Sequence, residues 1–143
     1  MSWVVDTCVL LDILEDDPEF GRASASCLRT RLEEGLVACP VTLLELGPAF
    51  GGDLSAQRHF LAQCGVSDEE DFTLADVRFG YSPWNDYIAA KRRRKSPVLP
   101  KRPIADLMIG AFACRYGGLI TRNGNDFQLW FPKLVILDPV AKR

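Results

Sequence analysis

Short apolar runs alternate with amphipathic segments along the chain, and this alternation predicts its elements. Runs of a few apolar residues bounded by polar or turn residues are typical of buried strands. They occupy residues 3–5, 36–39, 119–121 and 134–137, and residues 72–74 form a further, ambiguous candidate. The first run is followed by Asp6 and Thr7, which places Asp6 at the carboxyl end of a strand and makes Thr7 the cap of the next helix.

Apolar residues at helical spacing predict the helices between these runs. They cover residues 7–15, 19–34, 41–47, 54–63, 103–116 and 125–130, and another helix is predicted to begin at Ser82 and Pro83. The acidic residues 67–71 are expected to be solvated. Strands and helices in alternation favour an α/β layer sandwich around a mainly parallel sheet.

Composition narrows the class of protein. With 143 residues, the chain is expected to form one domain over residues 1–143. No apolar run approaches the ~18 residues that span a bilayer, and the amino terminus lacks the pattern of a signal peptide, so we expect a cytoplasmic protein with no membrane partner. The five cysteines show no C-x-x-C pair and are expected to be small buried hydrophobes. Because His59 is the single histidine, any chemistry must depend on carboxylates.

Several carboxylates occupy unusual positions for surface residues. Asp6 follows the first strand, and Glu45 lies between leucines one turn into the helix after the second strand. Asp106 lies early in the helix that Pro103 opens, and Asp126 begins a short helix after a later strand. In a parallel sheet, the carboxyl ends of strands and the amino ends of the following helices share one edge. We therefore expect these acids to converge.

Convergent carboxylates predict a metal site. Acids held close together repel and raise one another's pKa, and a divalent cation removes that penalty. Ligands that are all oxygen favour Mg²⁺ or Mn²⁺, which can activate a water and stabilise charge on a phosphate ester. Taken singly, each acid also has a structural interpretation as a helix cap or a surface residue. Asp12, Asp76, Asp86 and the acids of residues 67–71 are predicted to be solvated.

Positive charge is concentrated in one stretch, although the formal net charge of the chain is −2. Basic residues near an acidic metal site can hold a polyanionic backbone. The predicted nucleic-acid contacts lie within residues 91–102, and they are Arg92, Arg93, Arg94, Lys95, Lys101 and Arg102. Together with the acids, they suggest a metal-dependent nuclease.

Four segments resemble the PIN-domain family, and above all the VapC-type toxins of toxin–antitoxin pairs. Residues 4–11 resemble the family's opening strand with its first acid, and residues 41–46 and 104–111 resemble the helices with the second and third acids. Residues 119–127 resemble the closing "TRN..DF" segment. The segments follow the family's order and spacing, and the resemblance covers nearly the whole chain, least closely over residues 51–102.

This resemblance implies a PIN-like three-layer sandwich and a Mg²⁺- or Mn²⁺-dependent ribonuclease. It also implies an RNA substrate, a cognate antitoxin protein that neutralises the enzyme, and a homodimer. It assigns metal-binding and catalytic roles to the four acids Asp6, Glu45, Asp106 and Asp126. It gives supporting roles to the polar residues Thr7, Thr121 and Asn123.

The leading hypothesis is therefore an endoribonuclease toxin, and two other classes stay open. One is a phosphatase with Asp6 as its nucleophile, although Cys8 stands where phosphotransferases of the haloacid-dehalogenase kind need a second acid. The other is a non-enzymatic module that binds RNA or protein and whose acid cluster is structural.

Overall fold

The computed structural model of the protein describes residues 1–93 and 103–140. Its strands are β1 (Trp3–Val5), β2 (Leu36–Val37), β3 (Val66–Ser67), β4 (Gly118–Ile120) and β5 (Ile136–Leu137). Its α-helices are α1 (Thr7–Leu14), α2 (Gly21–Arg31), α3 (Pro40–Leu46), α4 (Leu54–Gln63), α5 (Leu74–Arg93), α6 (Pro103–Ala113) and α7 (Gly124–Trp130). Two 3₁₀ helices, Leu32–Glu34 and Gly47–Phe50, follow α2 and α3.

The five strands form one parallel sheet in the order β3-β2-β1-β4-β5. Val4 of β1 pairs with Val37 of β2 on one side and with Leu119 of β4 on the other. The chain builds the sheet outward from β1 in one direction and then returns to add β4 and β5 in the other. The strand order thus reverses between β1 and β4, and ligands in open α/β sheets bind at the carboxyl ends beside such a point.

Two apolar cores lie on opposite faces of this sheet. Val4 and Val5 are both fully buried, because successive strand residues point to opposite faces and each face is covered by helices. Val5 packs with residues of α1, α2 and α4, whereas Val4 packs with residues of α6 and α7. The arrangement is the predicted three-layer α/β sandwich with a parallel central sheet.

Most predicted elements are present with small shifts at their ends. Helix α4 has the predicted bounds, and the predicted helix over residues 19–34 is divided into α2 and a 3₁₀ turn. Leu44, one of the two leucines that flank Glu45, is 79% exposed, because only one side of the short α3 faces the core. No helix in residues 1–93 and 103–140 combines the length and hydrophobicity needed to cross a bilayer.

The region after α4 differs most from prediction. The third strand in the chain is β3, at Val66 and Ser67, and residues 72–74 lead into α5 instead. A strand of two residues at the sheet edge shows no alternation that sequence could display. Part of the segment that was predicted to be solvated therefore belongs to the sheet.

Helix α5 begins eight residues earlier than the predicted start at Ser82 and Pro83. Its start is a reciprocal cap, in which the Thr73 backbone N–H donates to Asp76 Oδ2 at 2.8 Å and the Asp76 N–H donates to Thr73 Oγ1 at 3.3 Å. Pro83 lies inside the helix. Packing against α6 explains why the helix continues, since a Cβ on Gly80 would lie 3.3 Å from the Cβ of Ala111.

Candidate functional site

Asp6 lies where β1 ends, beside the point at which the strand order reverses. Its backbone N–H donates to the carbonyl of Ile120 at 3.0 Å, and its side chain is buried. Oδ1 accepts the Thr7 backbone N–H at 2.8 Å, and Oδ2 accepts the Thr121 hydroxyl at 2.7 Å. Asp6, and not Thr7 as predicted, is the N-cap of α1, because the carboxylate accepts the free N–H at the helix start.

Thr7 connects Asp6 to Glu45. The Thr7 hydroxyl is fully buried and lies 2.8 Å from Glu45 Oε1 and 3.0 Å from the hydroxyl of Thr42. A carboxylate only accepts hydrogen bonds, so Thr7 donates its one proton to Glu45, and Thr42 can donate to Thr7. Thr7 thus joins two predicted site acids, and the supporting roles of Thr7 and Thr121 stay a prediction.

The other two predicted acids occupy the amino ends of the last two helices. Asp106 is half-buried in the first turn of α6, a helix that packs against α3 and β1. Asp126 is exposed in the first turn of α7 and lines a polar cavity of about 370 Å³ with Asn123, Asn125 and Asp138. The Asn123 side chain is exposed, and its backbone N–H donates to Thr121 Oγ1 at 3.0 Å.

The oxygen atoms around Asp6 and Glu45 are the ligands that a hard cation prefers, because they belong to carboxylates and hydroxyls. Within residues 1–93 and 103–140, no three His, Cys, Asp or Glu side chains form a group that could hold a metal ion as they stand. Metal coordination by the four acids stays a prediction.

A buried ion pair lies beside Asp6 and was not predicted. Arg122 directly follows Thr121, and its Nε and Nη2 donate to the two oxygens of Asp12 in α1 at 2.7 and 3.0 Å. Asp12 is 5% exposed and also accepts the Ser24 hydroxyl at 3.2 Å. The prediction that Asp12 is solvated is therefore wrong. An acid among the apolar residues of a helix was the available sign that Asp12 is buried.

A second buried ion pair joins α5 to the end of α6. Arg115 donates from Nε and Nη2 to the two oxygens of Asp76, and its Nη2 also donates to the Asp71 carbonyl at 2.8 Å. Asp76 is fully buried, so the prediction that it is solvated is also wrong. These contacts hold the guanidinium charged, and the Asp76 carboxylate is the main cause of its raised pKa.

Cys8 completes the immediate surroundings of Asp6. Its Sγ lies 3.4 Å from Asp6 Oδ2 and 3.8 Å from Thr121 Oγ1. Burial and, after it, the nearby Asp6 charge raise the pKa of the Cys8 thiol to about 12. At neutral pH the side chain is therefore a neutral thiol.

The start of the basic stretch lies at the same end of the molecule as Asp106. Gly80 contacts Ala111 while Asp76 contacts Arg115, so α5 and α6 run antiparallel, and the carboxyl end of α5 lies near the amino end of α6. Arg92 and Arg93 are exposed at that end of α5. The other predicted nucleic-acid contacts, Arg94, Lys95, Lys101 and Arg102, lie outside the described residues.

Comparison with known proteins identifies the fold. No protein-family model and no curated protein sequence matches this chain. It is similar to a chain in the crystal structure of VapBC2 from Rickettsia felis bound to a DNA fragment from their promoter, with a TM-score of 0.71 and 13% sequence identity. The superposition covers 96% of this chain and 98% of that chain. The predicted resemblance is thus confirmed at the level of the fold, which is a PIN-like three-layer sandwich.

Proposed function

We propose that the protein is a metal-dependent endoribonuclease and the toxin of a type II toxin–antitoxin pair. The observation that carries the proposal is the chain of contacts Asp6–Thr7–Glu45 at the carboxyl edge of the sheet. Thr7 connects these acids beside the reversal of strand order, since its N–H donates to Asp6 and its hydroxyl donates to Glu45, and this position supports a role in binding a ligand. The likeness in fold to a chain of VapBC2 supports the toxin assignment.

The proposed metal is Mg²⁺ or Mn²⁺. Asp6, Glu45 and Asp106 would hold it, and Asp126 would complete a second site or act through a water. When bound, the ion would lower the pKa of a water and stabilise negative charge on the phosphate. The protein itself orients the acids, since Thr121 and the Thr7 backbone fix one carboxylate and the Thr7 hydroxyl fixes the other.

The substrate we propose is RNA, held along the basic stretch. Arg92 and Arg93 lie at the end of α5 that is near the Asp106 end of α6, which supports a path for a polyanion beside the acids. Arg94, Lys95, Lys101 and Arg102 would extend that path. Activity on cellular RNA would place the protein in the cytoplasm.

The partners we propose are a second copy of the chain and a cognate antitoxin. The related structure contains VapBC2 and promoter DNA. By analogy, an antitoxin would neutralise this protein by covering its acidic site. RNA cleavage by the purified chain must therefore be tested without that partner.

The test is cleavage of total RNA by purified, antitoxin-free protein in Mn²⁺ and in EDTA. Wild type is expected to yield discrete fragments only with Mn²⁺. The Asp6→Asn variant, which keeps the size of the side chain and removes its charge, is expected to lose at least about a hundredfold in rate, since a metal ligand is lost.

Asp86→Asn is the matched control, because Asp86 is an exposed acid on α5 and its loss should leave the rate unchanged. Intact RNA with wild type and Mn²⁺, under conditions where Mn²⁺ binding is measured directly, would refute the nuclease proposal and leave a binding module as the better hypothesis.

A further inference from the structure

Arg122 makes one of two contacts that connect the same two segments. The segment after β4 contains Thr121 and Arg122, and α1 with its cap contains Asp6 and Asp12. Thr121 donates to Asp6 at the start of α1, and Arg122 donates to Asp12 six residues further along. With a rise of about 1.5 Å per residue, the two contacts are separated by about 9 Å along the helix.

Two separated contacts constrain α1 in a way that one cannot. A single hydrogen bond between Thr121 and Asp6 would allow the helix to pivot about that point. The bidentate pair between Arg122 and Asp12 fixes the other end, and a planar fork of two N–H groups also sets orientation. The hydroxyl of Thr121 is thereby kept on Asp6.

The surroundings of the Arg122 guanidinium define a single position for it. Its Cζ lies 4.0 Å from the ring centroid of Phe20, and Asp12 Oδ2, which accepts the Arg122 Nε–H, also accepts the Ser24 hydroxyl. The pKa of Arg122 is raised, chiefly by its hydrogen bonds to Asp12. A guanidinium that is stacked on a ring and paired with a buried carboxylate makes its contacts within the protein. We therefore do not assign it to RNA phosphates.

We propose that Arg122 is a positioning residue, which fixes Asp6 through Thr121 by means of its ion pair with Asp12. The proposal rests on the proposed function, in which Asp6 binds the metal. Arg122 would act on the affinity for metal and would have no direct contact with RNA.

The first test measures the positioning itself and needs no activity. Arg122→Lys keeps the charge but loses the bidentate fork and the stacking on Phe20. Amide exchange by NMR should be about tenfold faster at Thr7 and Asn123, whose N–H groups donate to Asp6 and Thr121, relative to the exchange at Thr73. Asp12→Asn serves as a second variant if the lysine variant does not fold.

Arg115→Lys is the matched control. It weakens the other buried pair by the same chemistry, and Thr73 donates its N–H to Asp76 of that pair. Exchange should there be faster at Thr73, with Thr7 and Asn123 unchanged. If Arg122→Lys and Arg115→Lys change the exchange rates of these three amides in the same ratio, Arg122 has only a structural role and the proposal is overturned.

The second test measures Mn²⁺ binding and RNA cleavage separately. Arg122→Lys should raise the Kd for Mn²⁺ about tenfold and leave the KM for RNA unchanged, because a misplaced supporting residue weakens metal affinity by about this factor. A raised KM with an unchanged Kd would overturn the proposal and make Arg122 an RNA contact. If wild type neither binds Mn²⁺ nor cleaves RNA, the proposed function fails, while amide exchange still decides whether Arg122 positions Asp6.

Discussion

Two buried aspartate–arginine pairs in this protein have nearly the same chemistry and lie in different regions. In both, a guanidinium makes bidentate contacts with a carboxylate, and the side-chain exposures are 23% and 6% for Arg122 and Asp12 against 27% and 0% for Arg115 and Asp76. The first pair lies beside Asp6 at the carboxyl edge of the sheet. The second lies beyond the end of α6, whose last residue is about 10 Å along the helix axis from Asp106 at a rise of about 1.5 Å per residue.

The two pairs are alike in burial and differ in which residues lie next to them. Burial and hydrogen bonding are alike in the two pairs, so neither quantity indicates which pair serves a site. What distinguishes the Arg122 pair is its neighbour in the chain, because Thr121 donates to Asp6. The Arg115 pair instead adjoins the cap of α5, where Thr73 donates to Asp76, and the carbonyl of Asp71.

The largest expected effect is loss of stability in both regions. Arg122→Ala and Arg115→Ala each leave a buried carboxylate without its cation, which costs about 3–5 kcal/mol in the free energy of unfolding. Urea denaturation measures both losses, and that of Arg115→Ala should be the larger because Asp76 is fully buried. Arg58→Ala, which removes a pair with Asp68 on the surface, should leave the free energy of unfolding nearly unchanged, because solvent screens that pair. A loss as small for Arg122 as for Arg58 would break the equivalence of the two buried pairs.

The fold and the central contacts of the site were predictable because they follow from local pattern. Val4 and Val5 form a strand that ends on an acid, and the parallel topology then brings Glu45 to the same edge. These inferences need only the period of the apolar residues and the rule for parallel sheets. The supporting roles of Thr7 and Thr121 were implied only by the resemblance to the PIN-domain family.

The ion pairs were not predictable because they depend on residues distant in sequence. Asp12 and Arg122 are 110 residues apart, and Asp76 and Arg115 are 39 apart, so no local spacing connects them. A lone acid in an apolar stripe indicates that it is buried, but not which cation pairs with it. The strand β3 was missed for a related reason, since a two-residue edge strand is specified by its partner β2 and not by its own composition.

Replacing each whole pair by apolar residues distinguishes the loss of a cation from the loss of the pair. Asp76→Leu with Arg115→Met, and Asp12→Leu with Arg122→Met, should each recover most of the stability that the single alanine variants lose, since well-packed apolar residues can replace a buried pair. Mn²⁺ affinity should then stay at the wild-type level in the first double variant and fall about tenfold in the second. Urea denaturation and Mn²⁺ titration give the two readouts. Equal Mn²⁺ affinity in both would show that bulk stability, and not positioning, supports the site.

The smallest expected effect concerns the cysteine beside each pair. Burial raises the pKa of Cys8 to about 12, and burial is also the main cause of the raised pKa of Cys114, whose Sγ donates to the Gly110 carbonyl at 3.3 Å. At pH 8 about one Cys8 thiol in ten thousand is ionised, so iodoacetamide should label it very slowly, and the rate should rise about tenfold per pH unit. Peptide mass spectrometry distinguishes the two thiols.

The direction in which pH changes the stability of the fold sets the pH range for this labelling. A thiol whose folded-state pKa lies above its ordinary value of 9.0 contributes stability that is complete below pH 9 and is lost as the pH rises toward about 12. Labelling between pH 7 and 9 therefore samples the intact fold.

In that range Arg122→Lys should raise the labelling rate at Cys8 alone, and Arg115→Lys should raise the labelling rate at Cys114 alone, because each pair restrains the segment that buries its own thiol. Equal increases at both thiols in either variant would mean that the two regions open together and that the separation between them does not hold.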